Sequence, residues 1–306
     1  MVAKFEVLRH AGEEVSPEER LQKHRRAGKI LREIRDEAAA RIKPGARLIE
    51  IAEFVESRIR EAGAEPAFPC NISRNHEAAH YTPKADDPLV FGEDIVKLDV
   101  GAQVDGFIAD TAVTVDLSGR HGPVVEAARK GLEAAIATVR AGVSTADIGA
   151  AIERAIGEFG GVKPVGNLSG HGLERYTQHA PPSIPNRATP GGPRLRSGQT
   201  VAIEPFATTG AGRVKDGSAV EIVMLTGERP VRLAQGRAVQ AELRKFRGLP
   251  VAKRWLKSPQ LELGLRQLKG AGVLYEYPVL VEVAGGPVAQ FEHSVIVTDD
   301  GCEVFT

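Results

Sequence analysis

Asp99 and Asp110 carry one carboxylate each on two short runs, residues 97–101 and 106–111, that alternate apolar and polar side chains around Asp105-Gly106. Period-two alternation about an Asp-Gly pair is the pattern of a β-hairpin. A four-residue loop at 103–106 sets the two aspartates directly opposite each other, and a two-residue turn at Asp105-Gly106 sets them one diagonal step apart. In both registers they share a face, because their positions relative to the turn have the same parity. Like charges about 4 to 8 Å apart on a sheet face repel. Either the pair faces solvent, as exposed aspartates commonly do, or a cation compensates it, and the hairpin alone leaves both open.

Further groups with chemical capacity lie downstream. The segment 160–185 is rich in glycine and reads as a long loop in which Gly170 and Gly172 flank His171, with His179 eight residues on. Glycines around a histidine let backbone and ligand approach closely. Glu204 interrupts the apolar run 200–206, and Glu292 sits with His293 inside a strand pattern spanning 288–297. A carboxylate in a buried-looking strand needs a partner. His80, in the segment 75–83, taken alone is more often structural than catalytic. Asp99, Asp110, His171, Glu204 and Glu292 together form a hard, oxygen-rich set suited to two divalent ions of the Mn, Fe, Co or Zn kind rather than one structural zinc. Four negative ligands balance two dications, whereas without ions crowding forces some of them to protonate. Sequence separation alone does not bring the five together.

The elements that must position these residues follow from periodicity. Ser16-Pro17-Glu18-Glu19 opens a helix running to about Ile42, and a second spans about 48–62. After the hairpin come helices at about 121–141 and 144–159, then strands at 200–206, 277–283 and 288–297. Helix, helix, strands, helix, helix, strands predicts an α+β fold: a mainly antiparallel sheet with helices on one face. Residues 226–276 differ in texture, with a basic helix at 235–248 and one or two more helices to Gly270. A solvated face is the plainer reading of these charges, with ribosome or RNA contact the alternative.

Composition narrows the function classes. Lys plus Arg and Asp plus Glu both number 40, so no global field favours nucleic acid or an anionic membrane. No apolar run approaches membrane-spanning length, residues 1–6 lack the core of a secretory signal, and Cys70 and Cys302 are isolated. A cytoplasmic protein is expected.

Residues 94–110, with Asn75, residues 78–83, Gly170-His171, His179, residues 202–206 and Gln290-Phe291-Glu292-His293, resemble the methionine aminopeptidases of type 2, in the shorter form typical of archaea. The likeness runs from the first helix to the last strand. It implies one catalytic domain over 1–306 with a pseudo-two-fold "pita-bread" fold, the helical stretch at about 226–276 being the type 2 insertion. It implies two divalent ions (Co, Mn, Fe, Zn or Ni), with Asp99 chelating one, Asp110 and Glu292 bridging both, and His171 and Glu204 completing the second. A hydroxide between the ions would attack the scissile carbonyl, and Glu204 would also shuttle a proton. His179 would hydrogen-bond the carbonyl oxygen and His80 would contact the scissile amide. Phe68 corresponds to an aromatic of the methionine pocket, with Tyr275 and Tyr277 as weaker candidates. The implied substrate is the N-terminal methionine of nascent chains with a small second residue, cleaved by a monomer with transient ribosome contact. Two departures from relatives, His76-Glu77 and Gln178, are expected to alter the pocket and leave the metals untouched. Two alternatives are an X-Pro dipeptidase and a non-catalytic ribosome- or RNA-binding protein of the same fold. The dipeptidases usually carry a large extra N-terminal domain, whereas about 65 residues precede Phe68 here; the non-catalytic class is expected to have substituted ligands.

Overall fold

The computed structural model describes residues 15–306, so the leader expectation at residues 1–6 lies outside the described residues. Helices α1 (Pro17–Arg41) and α2 (Leu48–Glu61) precede strands β1 (Glu65–Pro66), β2 (Asn71–Arg74), β3 (Glu77–Ala79) and the hairpin of β4 (Ile95–Val104) and β5 (Phe107–Asp116). Helices α3 (Gly122–Thr138) and α4 (Thr145–Gly157) follow, then β6 (Lys163–Pro164), β7 (Ser169–Glu174), β8 (Thr177–Pro185), β9 (Thr200–Ile203), β10 (Phe206–Thr208) and β11 (Val214–Leu225). Helix α5 (Ala234–Arg244), β12 (Val251–Ala252), a 3-10 turn (Lys253–Trp255) and α6 (Leu261–Gly270) lead to β13 (Leu274–Glu282), β14 (Val288–Gln290), β15 (Glu292–Val297) and β16 (Cys302–Val304).

Two of the helices, α1 and α4, start on side-chain caps. Ser16 accepts the Glu19 N–H at 3.2 Å, Pro17 opens the first turn of α1, and Glu18 and Glu19 face its positive end. Ser144 and Asp147 form a capping box on α4. In α1, buried His24, Ala27, Leu31, Ile34 and Ala38 make one stripe, which joins α2 and the β4–β5 strands in a common core with Leu98, Val100 and Ala102. Helices α3 and α4 cover the other half of the same sheet, against Val201, Ile203, Val295 and Val297. Two helix pairs therefore back one antiparallel sheet of nine strands, ordered β1-β4-β5-β15-β9-β7-β8 with β2 on β4 and β16 on β15. The opposite face is left for the chemistry.

Val104 pairs with Phe107, so Asp105-Gly106 is a two-residue turn with φ of 52° and 88°, the type I′ form that suits strand twist. Asp99 lies opposite Ala112, and Asp110 opposite Gly101, which is the diagonal register.

Three sequence expectations are corrected. The supposed loop at 160–185 is largely β7 and β8. Its glycines concealed the strand: a Cβ on Gly170 would lie 2.4 Å from the Ala202 carbonyl oxygen, and one on Gly172 2.2 Å from that of Pro181. Neither position accepts a side chain, so no alternation is visible. The single strand expected over 288–297 is two. Gln290 pairs with Phe206 in a small sheet, whereas Glu292 pairs with Ala112 in the large one. The break at Phe291 faces the break at Glu204-Pro205 between β9 and β10, where Pro205 has no N–H to donate. Strand β11 was not foreseen; its half KDGSA is polar, and it joins β12, β13 and β3 in a four-stranded sheet. Helices α5 and α6 pack on that sheet through Val239, Leu243, Leu265 and Leu268 against Val223 and Leu225.

Candidate metal centre

The face away from α1–α4 gathers the predicted acids. Asp110 and Glu292 are 1% and 2% exposed, on neighbouring strands β5 and β15, and both stand on the side where Asp99 projects from β4. His171 lies opposite Ala202 on β9, one strand further on, and Glu204 directly follows that strand. One ligand atom each from Asp110, His171 and Glu292 lies within 4.8 Å of the others. His171 Nε2 is 3.5 Å from Glu204 Oε1 and 3.8 Å from Asp110 Oδ2. Asp99 and Glu204 flank this group closely enough for their charges to act on it.

Backbone bonds hold the strands in place. The Asp110 N–H donates to Ser294 Oγ at 2.9 Å, and that hydroxyl donates to the Asp110 carbonyl at 2.8 Å. Arg35 on α1 donates to Thr111 Oγ1, which donates to the Glu292 carbonyl, both at 2.8 Å. The rear helix thereby fixes the strand carrying Glu292.

The electrostatics are those of crowded anions. Burial pushes the Asp99 carboxyl up to about 7, against hydrogen bonds from Gln290 and Asn71. Asp110, Glu204 and Glu292 are raised well above the usual carboxylate range, by burial first and then by neighbouring acids: Asp99 for Asp110, Asp110 and Asp99 for Glu204, and all three others for Glu292. Burial also lowers His171 to about 4, so its imidazole is neutral. Its Nδ1 lies 3.2 Å from the Gly172 carbonyl oxygen, which places the proton there and leaves the Nε2 lone pair toward the acids. Asp99 Oδ1, Asp110 Oδ1 and Glu292 Oε1 are buried with no hydrogen-bond partner. Buried anionic oxygens without partners, converging on a neutral imidazole, fit a divalent cation.

Of the other predicted residues, His179 packs edge-on against His171 at 4.6 Å, and Tyr277 touches both His179 (6.2 Å) and His80 (5.3 Å). His80 holds a φ of 68°, in the left-handed region a non-glycine residue rarely enters, and its Nδ1 lies 3.2 Å from the Pro278 carbonyl oxygen. Phe68 lies over Gly101, in an apolar cluster with Ile108, Leu173, Ala202 and Leu249. Tyr275 packs on Tyr277 at 4.7 Å and is partly exposed. Gln178 overturns one expectation: its Nε2 donates to Asp110 Oδ2 at 3.3 Å, so this departure from relatives does touch a predicted ligand. Sequence reasoning passed over Asn71 and Gln290, whose amides reach the same acids. It is the β2–β4 pairing that sets Asn71 opposite Asp99.

Residues 22–299 match metallopeptidase family M24. The chain belongs to that family. A methionine aminopeptidase of Archaeoglobus fulgidus is 53% identical to this M24 chain over 282 residues, covering 92% of it and 96% of the relative. The crystal structure of a methionine aminopeptidase from Thermotoga maritima, 25% identical, superposes with a TM-score of 0.70 over 95% of this chain and 98% of the other. The structure of a thermophilic Arx1, 18% identical, reaches 0.82 over 95% and 91% and speaks for the fold alone. The M24 fold is the expected pita-bread, with curled antiparallel sheets and helices behind them. Among the described residues, no helix is long and apolar enough to cross a membrane.

Proposed function

We propose that this M24 chain is a type 2 methionine aminopeptidase that removes the N-terminal methionine of nascent proteins whose second residue is small. The observation that carries it is the convergence of Asp110, His171 and Glu292, with unpartnered carboxylate oxygens, in a chain 53% identical to a relative named methionine aminopeptidase. The type 2 assignment rests on the separation of 88 positions from Glu204 to Glu292, a stretch that holds α5 and α6. Asp99, with Asp110 and Glu292, would hold one divalent ion, and His171 and Glu204 would hold the second. Such ions, when bound, lower the pKa of a water and polarise the scissile carbonyl.

The chain's own residues do the rest. Glu204, which follows β9 with Oε1 3.5 Å from His171 Nε2, is placed to take a proton from the attacking water and return it to the leaving amine. His179 donates to the carbonyl oxygen as negative charge develops there. His80 meets the scissile amide, with Tyr277 buttressing both imidazoles. The Phe68 cluster supplies an apolar wall for the methionine side chain. The place of action is the cytoplasm, where nascent chains emerge.

Purified chain reconstituted with Mn²⁺ or Co²⁺ should release methionine from a Met-Ala-Ser peptide much faster than from a Met-Leu-Ser peptide, and should leave X-Pro dipeptides intact. Turnover of X-Pro alone, or no turnover after metal reconstitution, overturns the assignment.

A further inference from the structure

Each buried acid at the centre is divided in the same way. Asp110 has Oδ2 engaged by the Gln178 amide and Oδ1 without a partner. Glu292 has Oε2 engaged by Gln290 Nε2 at 3.3 Å and Oε1 without a partner. Asp99 Oδ1 likewise has no partner, and the Asn71 and Gln290 amides stand close enough to pull its carboxyl down against the burial that raises it. Neutral amides thus take one side of Asp110 and of Glu292 and stand beside Asp99, and each of the three carboxylates keeps a bare oxygen. The donors are themselves held. Asn71 is set opposite Asp99 by the β2–β4 ladder. The Gln290 backbone is clamped by Thr114, which donates to its carbonyl at 2.7 Å and accepts from its N–H at 2.8 Å. Gln290 is 1% exposed and Asn71 5%. With their nitrogens committed, Asn71 Oδ1 and Gln290 Oε1 are left buried without partners, an arrangement expensive to keep unless the nitrogens matter.

The choice of amide has a physical reason. A lysine or arginine here would satisfy the carboxylates and also cancel the charge that attracts a cation. A hydroxyl donates or accepts and can rotate away. An amide nitrogen only donates, adds no net charge and cannot itself bind a hard cation strongly.

We propose that Asn71, Gln178 and Gln290 act as an amide frame that selects which oxygen each carboxylate presents to a divalent ion. They are positioning residues, and the proposal rests on the metallopeptidase reading above. Gln290, shared by Asp99 and Glu292, couples the two sides of the site; Gln178, half-buried beside His179, trims Asp110 alone.

The test is calorimetric titration of the metal-free full chain with Mn²⁺, together with the electron paramagnetic resonance spectrum of the bound ion, which reports its ligand arrangement. Gln290→Met, of similar shape but unable to donate, should weaken at least one Mn²⁺ equivalent by about 10- to 100-fold and alter the spectrum. Gln178→Ile should weaken binding by up to about tenfold and alter the spectrum. The metal-free melting temperature of Gln178→Ile should stay at the wild-type value. Should Gln290→Met fail to fold, the half-buried Gln178→Ile decides. Wild-type affinity in the folded variants, or weaker binding with an unchanged spectrum, overturns the amide frame and leaves the aminopeptidase reading standing. A wild-type chain that binds no Mn²⁺ overturns both.

Discussion

Glu56 on α2 and the Asp110–Glu292 pair are buried to nearly the same degree, 3% against 1% and 2%, yet their surroundings are opposite. Glu56 accepts from Arg254, from Trp255 Nε1 at 2.7 Å and from the Cys70 N–H at 3.1 Å, so both oxygens are engaged and a cation balances the charge. Burial raises its carboxyl while Arg254, Trp255 and Cys70 pull it back. Asp110 and Glu292 have neighbours that are themselves acids, and each keeps a bare oxygen. Burial of a carboxylate is therefore not the mark of a functional site. The mark is a buried carboxylate that the protein has left incomplete. The Glu56 cluster ties the 3-10 turn at Lys253–Trp255 to α2, which is a structural task, and it needs nothing from outside the chain.

The comparison breaks most visibly at Asp110. Asp110→Asn should lower kcat/KM for Met-Ala-Ser by about a thousandfold, ~4 kcal/mol of transition-state stabilisation. The metal-free variant should melt no lower than wild type, because the substitution removes one of several crowded negative charges. Peptide hydrolysis and calorimetric melting of the metal-free chain check both halves. Activity within tenfold of wild type, or a clear loss of metal-free stability, would remove Asp110 from the incomplete class.

Glu56→Gln should do the reverse. It leaves the Arg254 guanidinium, 5% exposed, without its counter-charge, and should destabilise the fold by about 3 kcal/mol. Mn²⁺ stoichiometry should be unchanged. Denaturant unfolding and metal analysis separate the two effects; a stability loss under about 1 kcal/mol, or a lost ion, would blur the distinction.

How much of this was legible in the sequence depends on what each residue needed. The hairpin was readable because Asp105-Gly106 dictates its own turn and parity then fixes the shared face of Asp99 and Asp110. Helices α1 to α4 were readable because capping residues and apolar periodicity are local. The strand around His171 was not, since Gly170 and Gly172 erase alternation to let two carbonyl oxygens approach. Strand β11 was hidden by its polar half, which only tertiary pairing with β13 turns into a strand. At the site, Glu204 and Glu292 stood out as charges in apolar runs, Asp99 and Asp110 as a like-charge pair on a hairpin, and His171 by its flanking glycines. Asn71 and Gln290 did not, because a neutral amide in a strand breaks no burial rule as sharply as a charge does. Gln178 stood out as a departure, but its direction of approach to Asp110 is a property of β8 and of nothing local.

The smallest expected effect lies in the pH dependence of stability, and its slope separates the metal-free from the loaded protein. His80 and His171 are held near 4 by burial, below their ordinary 6.5, so their contribution is lost as pH falls below 6.5 and is constant above it. Above pH 6.5 the acids set a falling slope, and Lys97, which burial lowers from 10.5 to about 7, sets a rising one above 7. Asp99, raised by burial to about 7 from 3.8, contributes stability that is fully present below about 3.8 and lost as pH rises through 7. The acids should therefore lower metal-free stability between pH 6.5 and 8, at about 1 kcal/mol per pH unit for each proton they still hold, against the opposite slope of the single lysine. Saturating Mn²⁺ should flatten or invert the acids' slope, because a bound ion displaces those protons and binds more tightly as they leave. Unfolding at fixed ionic strength, with and without the ion, measures both slopes. A slope that Mn²⁺ leaves unchanged would mean that the acids are ionised without help, since Lys97 contributes equally to both measurements, and the contrast with Glu56 would then rest on geometry alone.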